Sequence, residues 1–293
     1  MVSGQELARW REESRNQALA LAISPQEVDW LLQALTGLTP LSLHLQSYKM
    51  DSDIPLSVSF TELIQLWEKR IKERIPVQYL VGETPWRDFS LQVSPGVLIP
   101  RPETEMLVEI ALDRASNELK QGHWVDLGTG SGAIALALAQ TLPEATIHAV
   151  DNSPAALTIA QQNAQNLGIA NRIQFDEGSW FSPLTHLQGK ISVMVSNPPY
   201  IPTATLGELQ PEVAQHEPHN ALDGGEDGLV AIRHLINTAP QFLHATGFWL
   251  TEIGAGQASA VEQLLKDNGN YHNIQISQDL AGIERFASAY INA

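Results

Sequence analysis

Trp124-Val125-Asp126-Leu127-Gly128-Thr129-Gly130-Ser131-Gly132 decides the fold, and the rest of the chain falls into place around it. An apolar lead-in runs into an acidic residue, and three glycines follow at alternate positions. Ala133 to Gln140 is then an alanine- and leucine-rich helical run. A strand, a glycine-rich turn and a helix in that order open a doubly wound α/β sheet. Gly128, Gly130 and Gly132, with Thr129 and Ser131 between them, let the backbone turn sharply and come close to a ligand. The next apolar run, Thr146 to Val150, ends at Asp151. There a carboxylate stands at a strand's C-terminal end and can accept both hydroxyls of a ribose. The pair predicts an adenosine-type ligand. Gly128-x-Gly130-x-x-Ala133 also matches the dinucleotide fingerprint, so a nicotinamide cofactor stays open at this point. Asp126 and Asp151 are each also compatible with a plain cap or turn role.

The alternation continues outward. Ser153-Pro154 starts a helix that stops at Gly168, and Arg172 to Phe175 reads as a third strand. Ile191 to Val195 is the fourth strand, Gly228 to Leu243 is largely helical, and Phe248 to Ile253 is the fifth strand. A helix from about Gln257 to Asp267 precedes two last strands, Asn273 to Ser277 and Phe286 to Ile291. This predicts a mostly parallel sheet covered on both faces. Residues 1–75 read instead as amphipathic helices. Ser3-Gly4-Gln5-Glu6, Ser24-Pro25-Gln26-Glu27 and Ser59-Phe60-Thr61-Glu62 are their start signals. Between the two regions, Gln78-Tyr79-Leu80-Val81-Gly82 and Phe89-Ser90-Leu91-Gln92-Val93 read as the strands of a hairpin. The expected organisation is a helical domain over 1–75, a hairpin linker over 76–97 and an α/β domain over 98–293. Substrate docking and plain packing both remain open for the helices.

The fourth strand runs into Ser196-Asn197-Pro198-Pro199-Tyr200-Ile201. Two prolines remove two backbone donors and fix φ, and Pro198 biases Asn197 towards an extended conformation. A stiff loop at a strand's C-terminal end results, carrying an amide, unopposed carbonyls and an aromatic ring. Such a loop can hold a planar group bearing an NH2. Asn197 Oδ1 and the Pro198 carbonyl accept its protons while Tyr200 lies on its face. It is also compatible with a rigid turn around a buried tyrosine. Together with Asp126, placed where a methionine ammonium could sit, the loop favours S-adenosylmethionine over a nicotinamide. Trp180, in Gly178-Ser179-Trp180-Phe181, is either a flank for the adenine or a core aromatic.

Composition narrows the function. The 293 residues are 43% hydrophobic, enough for real cores. There is no cysteine, hence no disulfide and no thiolate ligand or nucleophile, and the nine histidines show no metal spacing. No apolar run reaches membrane-spanning length, so a soluble cytoplasmic protein is expected. Seventeen basic against thirty-three acidic residues give a net charge of -16. That disfavours a nucleic-acid partner, whose phosphates need Lys and Arg, and suits a basic protein partner drawn in by long-range charge.

These stretches, with Pro76-Val77-Gln78-Tyr79-Leu80-Val81-Gly82, Leu98 to Glu105, Glu217-Pro218-His219-Asn220-Ala221-Leu222 and Gly224 to Gly228, resemble the HemK/PrmC-type protein N5-glutamine methyltransferases that act on release factors. The resemblance covers nearly the whole chain. It implies a Rossmann-like, seven-stranded methyltransferase domain behind a small helical bundle and a β-hairpin linker. It implies S-adenosyl-L-methionine as cofactor, lined by Gly128 to Gly132, with Asp151 on its ribose and Trp180 by its adenine. Asn197 then meets cofactor and substrate, Pro198, Pro199 and Tyr200 complete the glutamine pocket, and no metal is needed. The implied partner is a peptide chain release factor, through its Gly-Gly-Gln loop. The Asn-Pro-Pro-Tyr loop is shared with adenine-N6 DNA methyltransferases and with enzymes acting on other protein glutamines. DNA and a ribosomal protein therefore stand as alternative substrates, and nicotinamide oxidation and a non-catalytic binder as alternatives of other classes.

Overall fold

The computed structural model describes residues 1–292, which divide into two compact units. The first comprises Met1–Gly82 together with Pro211–His216, and the second Glu83–Gln210 together with Glu217–Ala293.

The first unit is helical, with helices Gly4–Ala20, Gln26–Thr36, Pro40–Leu45 and Phe60–Lys72 around a core of Leu7, Leu31, Leu32, Leu63 and Trp67. Ser59 and Glu62 form the reciprocal cap read from the sequence, each side chain bonding the other's backbone N–H. Ser3 caps the first helix by accepting from the Glu6 N–H. Arg70 is almost fully buried and is paired with Glu27 and with Glu212 of the short helix Pro211–His216. A charge buried there is tolerable only because both carboxylates meet it.

Residues 78–82 are not a strand. Val77–Val81 forms a short helix after Pro76, closed by Gly82 at φ 85 with its N–H on the Gln78 carbonyl. A five-residue apolar run has no periodicity to separate strand from helix. Here the proline before it and the left-handed glycine after it define one helical turn. The hairpin lies next along the chain, β1 (Glu83–Trp86) paired antiparallel with β2 (Phe89–Gln92).

The second unit is built on seven strands: β3 (His123–Leu127), β4 (Thr146–Asp151), β5 (Ile173–Glu177), β6 (Ile191–Ser196), β7 (Leu243–Glu252), β8 (Tyr271–Gln278) and β9 (Glu284–Ile291). Their spatial order is β5-β4-β3-β6-β7-β9-β8. The first five are mutually parallel, and β9 runs antiparallel between β7 and β8. Successive strand residues face opposite sides. Trp124, Val193 and Val195 enter the core beneath helices Glu105–Arg114 and Ala133–Thr141. Val125, Leu127 and Met194 enter the core beneath Val230–Thr238 and Ala258–Asn268. Strand order reverses between β3 and β6, and at such a switch point a crevice opens at the strands' C-terminal ends. The glycine-rich loop after β3 and the Asn-Pro-Pro-Tyr loop after β6 both emerge there.

Candidate active site

The crevice holds about 670 Å³ of atom-free space, part of it open solvent, and Gly128, Gly130, Asp151, Trp180, Asn197 and Pro199 are among its walls. The glycine loop is built by backbone. The Gly128 and Thr129 N–H groups both donate to the Val150 carbonyl at 2.9 Å, which pins the loop to the end of β4. Gly132 sits at φ 86, and a Cβ there would come within 3.1 Å of the Ala160 Cβ, so only glycine lets the loop lie on the helix Pro154–Asn166. Asn163 of that helix donates to the Ser131 carbonyl and to the Gln92 carbonyl of β2, which ties the hairpin to the loop.

Asp151 organises the next wall. Its Oδ2 accepts from Gly130 N–H and its Oδ1 from Ser153 N–H, both at 2.9 Å. Its carbonyl accepts from Gly178 N–H, which starts the turn carrying Trp180. Burial pushes the Asp151 carboxyl up, against the amide bonds that hold it down. Trp180 is half-buried, adopts a left-handed backbone at φ 53, and lays its ring beside Gly128. The opposite wall includes Pro218 and Ala221. The buried carboxylate of Glu217 anchors this segment, accepting from Arg101 Nη2 at 2.8 and 2.9 Å.

Asp126 lies beneath the loop and is fully buried. Its Oδ2 accepts from the Thr129 hydroxyl at 2.6 Å and from Ala135 N–H at 3.1 Å, while Oδ1 is buried without a partner. Burial raises its pKa to about 7. The neutral carboxyl is the form that burial tolerates. Its contribution to stability is therefore full below the unfolded pKa and is lost as pH rises through the folded one. At about 1.4 kcal/mol per pH unit, Asp126→Asn is expected to gain on the order of 2 kcal/mol relative to wild type between about pH 5.5 and pH 8. Urea unfolding without added cofactor, at both pH values, measures it. A difference that does not change with pH would show Asp126 ionised throughout.

The Asn-Pro-Pro-Tyr loop leaves the end of β6 with Ser196 fully buried, its hydroxyl on the Leu127 carbonyl at 2.6 Å. Asn197 is half-buried at the cleft, and its Nδ2 donates to Thr104 Oγ1 at 3.1 Å. Thr104 donates in turn to Glu252 Oε2 at 2.7 Å, and the Tyr200 hydroxyl donates to Glu252 Oε1 at 3.1 Å. Burial and the neighbouring Glu252 carboxylate push the Tyr200 phenol far up, which keeps it a neutral donor. Gln257 Nε2 donates to the Tyr200 carbonyl at 2.9 Å, and Gly224 and Gly228 pack directly against the Tyr200 backbone.

Of the residues read from the sequence, Gly128, Gly130, Asp151, Trp180, Asn197 and Pro199 line one cleft; Thr129, Ser131, Gly132, Pro198 and Tyr200 belong to the same two loops without lining it, and Asp126 lies beneath. Sequence reasoning missed Thr104, Glu252 and the Arg101–Glu217 pair. The available signal for Glu252 was a carboxylate close to the C-terminal end of a strand, on the side where ligands bind.

A family model described as a methyltransferase domain matches residues 119–280. The release factor glutamine methyltransferase of Synechocystis sp. is 51% identical over 291 residues, covering 98% of this chain and 97% of its own. That of Gloeobacter violaceus is 44% identical over 281 residues, covering 96% of each. Among solved structures, a methyltransferase from Pyrococcus furiosus aligns with a TM-score of 0.52 at 12% identity, covering 71% of this chain and 91% of that one, a likeness of fold alone. A cleft built for an adenosine ligand, an amide-bearing loop at its edge and near-full-length identity of this order lead to one conclusion: the chain belongs to the release factor glutamine methyltransferases.

Proposed function

We propose that the protein methylates the side-chain nitrogen, N5, of the glutamine in the Gly-Gly-Gln loop of peptide chain release factors, with S-adenosyl-L-methionine as methyl donor. One observation carries the reading. The Asn197 amide reaches the cleft with its nitrogen already bonded to Thr104, which leaves Oδ1 as the end that can accept a proton. The residues also fit the cofactor. Gly128 and Gly130, both at positive φ, offer bare backbone to it. Asp151 still has lone pairs for a ribose, while Asp126, buried beneath the loop and not a wall of the cleft, holds the glycine turn through Thr129 and Ala135.

S-adenosylmethionine supplies an electrophilic methyl carbon when bound. The chain's own contribution is to make a poor nucleophile competent. A carboxamide nitrogen shares its lone pair with the carbonyl. In this reading Asn197 Oδ1 and the Pro198 carbonyl accept the two amide protons, turn the nitrogen towards the methyl and favour its pyramidalisation. Tyr200 packs on the amide plane, so orientation is fixed on binding and not in the transition state. Positive charge grows on nitrogen as the bond forms, and the same two oxygens then bind it more strongly. The proton leaves after transfer.

The helical unit is read as the docking module for the factor. A net charge of -16 favours encounter with a basic protein and disfavours nucleic acid. Among the described residues no helix is long and apolar enough to cross a membrane. A substrate of translation termination makes the reaction cytoplasmic. Incubation with methyl-labelled S-adenosylmethionine and a release factor, followed by mass-spectrometric mapping, is expected to find one methyl on the side chain of that glutamine. Label on DNA adenine, on a ribosomal protein alone, or nowhere would contradict the reading.

A further inference from the structure

An asparagine side chain can present either of two ends to a substrate. Rotating the terminal amide by 180° exchanges Oδ1 for Nδ2 with almost no change of shape. For a substrate NH2 the two orientations are opposites. Oxygen accepts its proton, while nitrogen sets donor against donor. A site that depends on Asn197 Oδ1 therefore needs something that selects the orientation.

We propose that Thr104 and Glu252 are positioning residues that select it, and that they thereby set the polarity of the glutamine-binding site. The proposal rests on the glutamine reading above and extends it to residues outside the Asn-Pro-Pro-Tyr loop. The selection works through hydrogen-bond direction. Glu252, only 1% exposed, accepts at both oxygens, from Thr104 at 2.7 Å and from Tyr200 at 3.1 Å. Burial pushes the Glu252 carboxyl up, against the Thr104 and Tyr200 hydrogen bonds and the Arg285 charge that hold it down; in its ionised form it has no proton to give, so both hydroxyl protons are committed to it. Thr104, 3% exposed, is left with lone pairs alone. Its next neighbour must donate, and Asn197 Nδ2 does so at 3.1 Å. The flipped amide would set Oδ1 against those lone pairs inside a nearly dry pocket, where an unpaired polar atom is costly. The preference is passed from Glu252 through Thr104 to Asn197, and the free oxygen is turned to the substrate side.

The same carboxylate fixes Tyr200, so both side chains assigned to hold the glutamine amide, those of Asn197 and Tyr200, hang from the end of β7. Thr104 and Glu252 are 148 positions apart, and Thr104 and Asn197 are 93 apart. The relay joins the segment just before the helix Glu105–Arg114 and the ends of β6 and β7.

The experiment compares wild type with Thr104→Val, Thr104→Ser and Glu252→Gln. It measures kcat and KM with a release factor, cofactor Kd by calorimetry, and Tm. Thr104→Val keeps the shape and loses the acceptor. Its kcat is expected to fall about 10- to 100-fold, as for one orienting hydrogen bond, with cofactor Kd within about twofold. Thr104→Ser restores the hydroxyl and is expected to recover most of kcat. Glu252→Gln, which can donate at one end, is expected to lose at least as much as Thr104→Val, since it also disturbs Tyr200. Wild-type kcat in Thr104→Val, or equal losses in the Val and Ser variants, overturns the relay and leaves the functional reading standing. If Thr104→Val does not fold, Glu252→Gln decides, and wild-type kcat there overturns the relay. A wild-type enzyme inert towards release factor overturns both.

Discussion

Asn197→Ala is expected to lower kcat by about a thousandfold, towards the uncatalysed background, while cofactor Kd changes by less than about tenfold. The size follows from what is removed. A preorganised group aimed at developing charge is worth about 10²–10³ in rate, and this one also orients the nucleophile. The cofactor should notice less. Its cleft is formed mainly by the glycine loop, Asp151 and Trp180, which Asn197 does not hold in place. Single-turnover methylation with saturating release factor measures the first effect and calorimetry the second. A variant that keeps wild-type kcat would remove Asn197 from the chemistry. A variant that loses cofactor binding outright would reduce it to a structural part of the cleft.

The second large effect is expected at a residue that touches neither ligand. Gly228 sits at φ 73, and a Cβ there would lie 2.4 Å from the Tyr200 carbonyl oxygen and 2.6 Å from Gln257 Nε2. The first contact is to backbone, which cannot swing aside; the second is to a side-chain end, which can move only by giving up its bonds to the Tyr200 and Gly228 carbonyls. Gly228→Ala should therefore push Tyr200 off its place and break the Gln257 bond to it. A displacement near 1 Å at a substrate-holding group costs about a hundredfold in kcat/KM. The strained backbone adds roughly 1–3 kcal/mol of destabilisation. Gly282 gives the internal control. It has a similar φ of 78 in the turn between β8 and β9, but nothing lies within 4 Å of its would-be Cβ. Gly282→Ala should show the backbone cost alone and keep its activity. Equal activity in the two variants would show that the wall behind Tyr200 does not matter.

What could be read from the chain follows from how local each signal is. The glycine loop, Asp151 and Asn197 each follow a strand within one or two residues, so one pass along the sequence puts them at strand ends. The switch-point rule then brings them together, and all seven strands were legible between turn signals, although Arg172 to Phe175 and Asn273 to Ser277 alternate polar and apolar residues. The hairpin failed locally, because Gln78–Gly82 is too short to show a period and its flanking Pro76 and Gly82 suit a helical turn as well. Thr104 was hidden differently. Its neighbours Glu103 and Glu105 are adequately explained by the helix start, and its real partner lies at the far end of β7. Glu252 lay inside the strand read as Phe248 to Ile253, which the structure ends at Glu252, and it had no stated role, since hydrogen-bond direction exists only once three distant segments meet. Trp180 is intermediate: its motif was noted, but its placement depends on a left-handed backbone that no residue preference signals.

The claim on which the rest depends is geometric: a glutamine amide is held by oxygen acceptors beside the methyl carbon. A crystal structure of the protein with S-adenosylmethionine or its demethylated product and a Gly-Gly-Gln peptide tests it most directly. Asn197 Oδ1 and the Pro198 carbonyl are expected within about 3 Å of the glutamine nitrogen, with Nδ2 still on Thr104. A complex in which the glutamine nitrogen meets Nδ2 instead, or lies beyond hydrogen-bonding distance of both oxygens, would contradict the account.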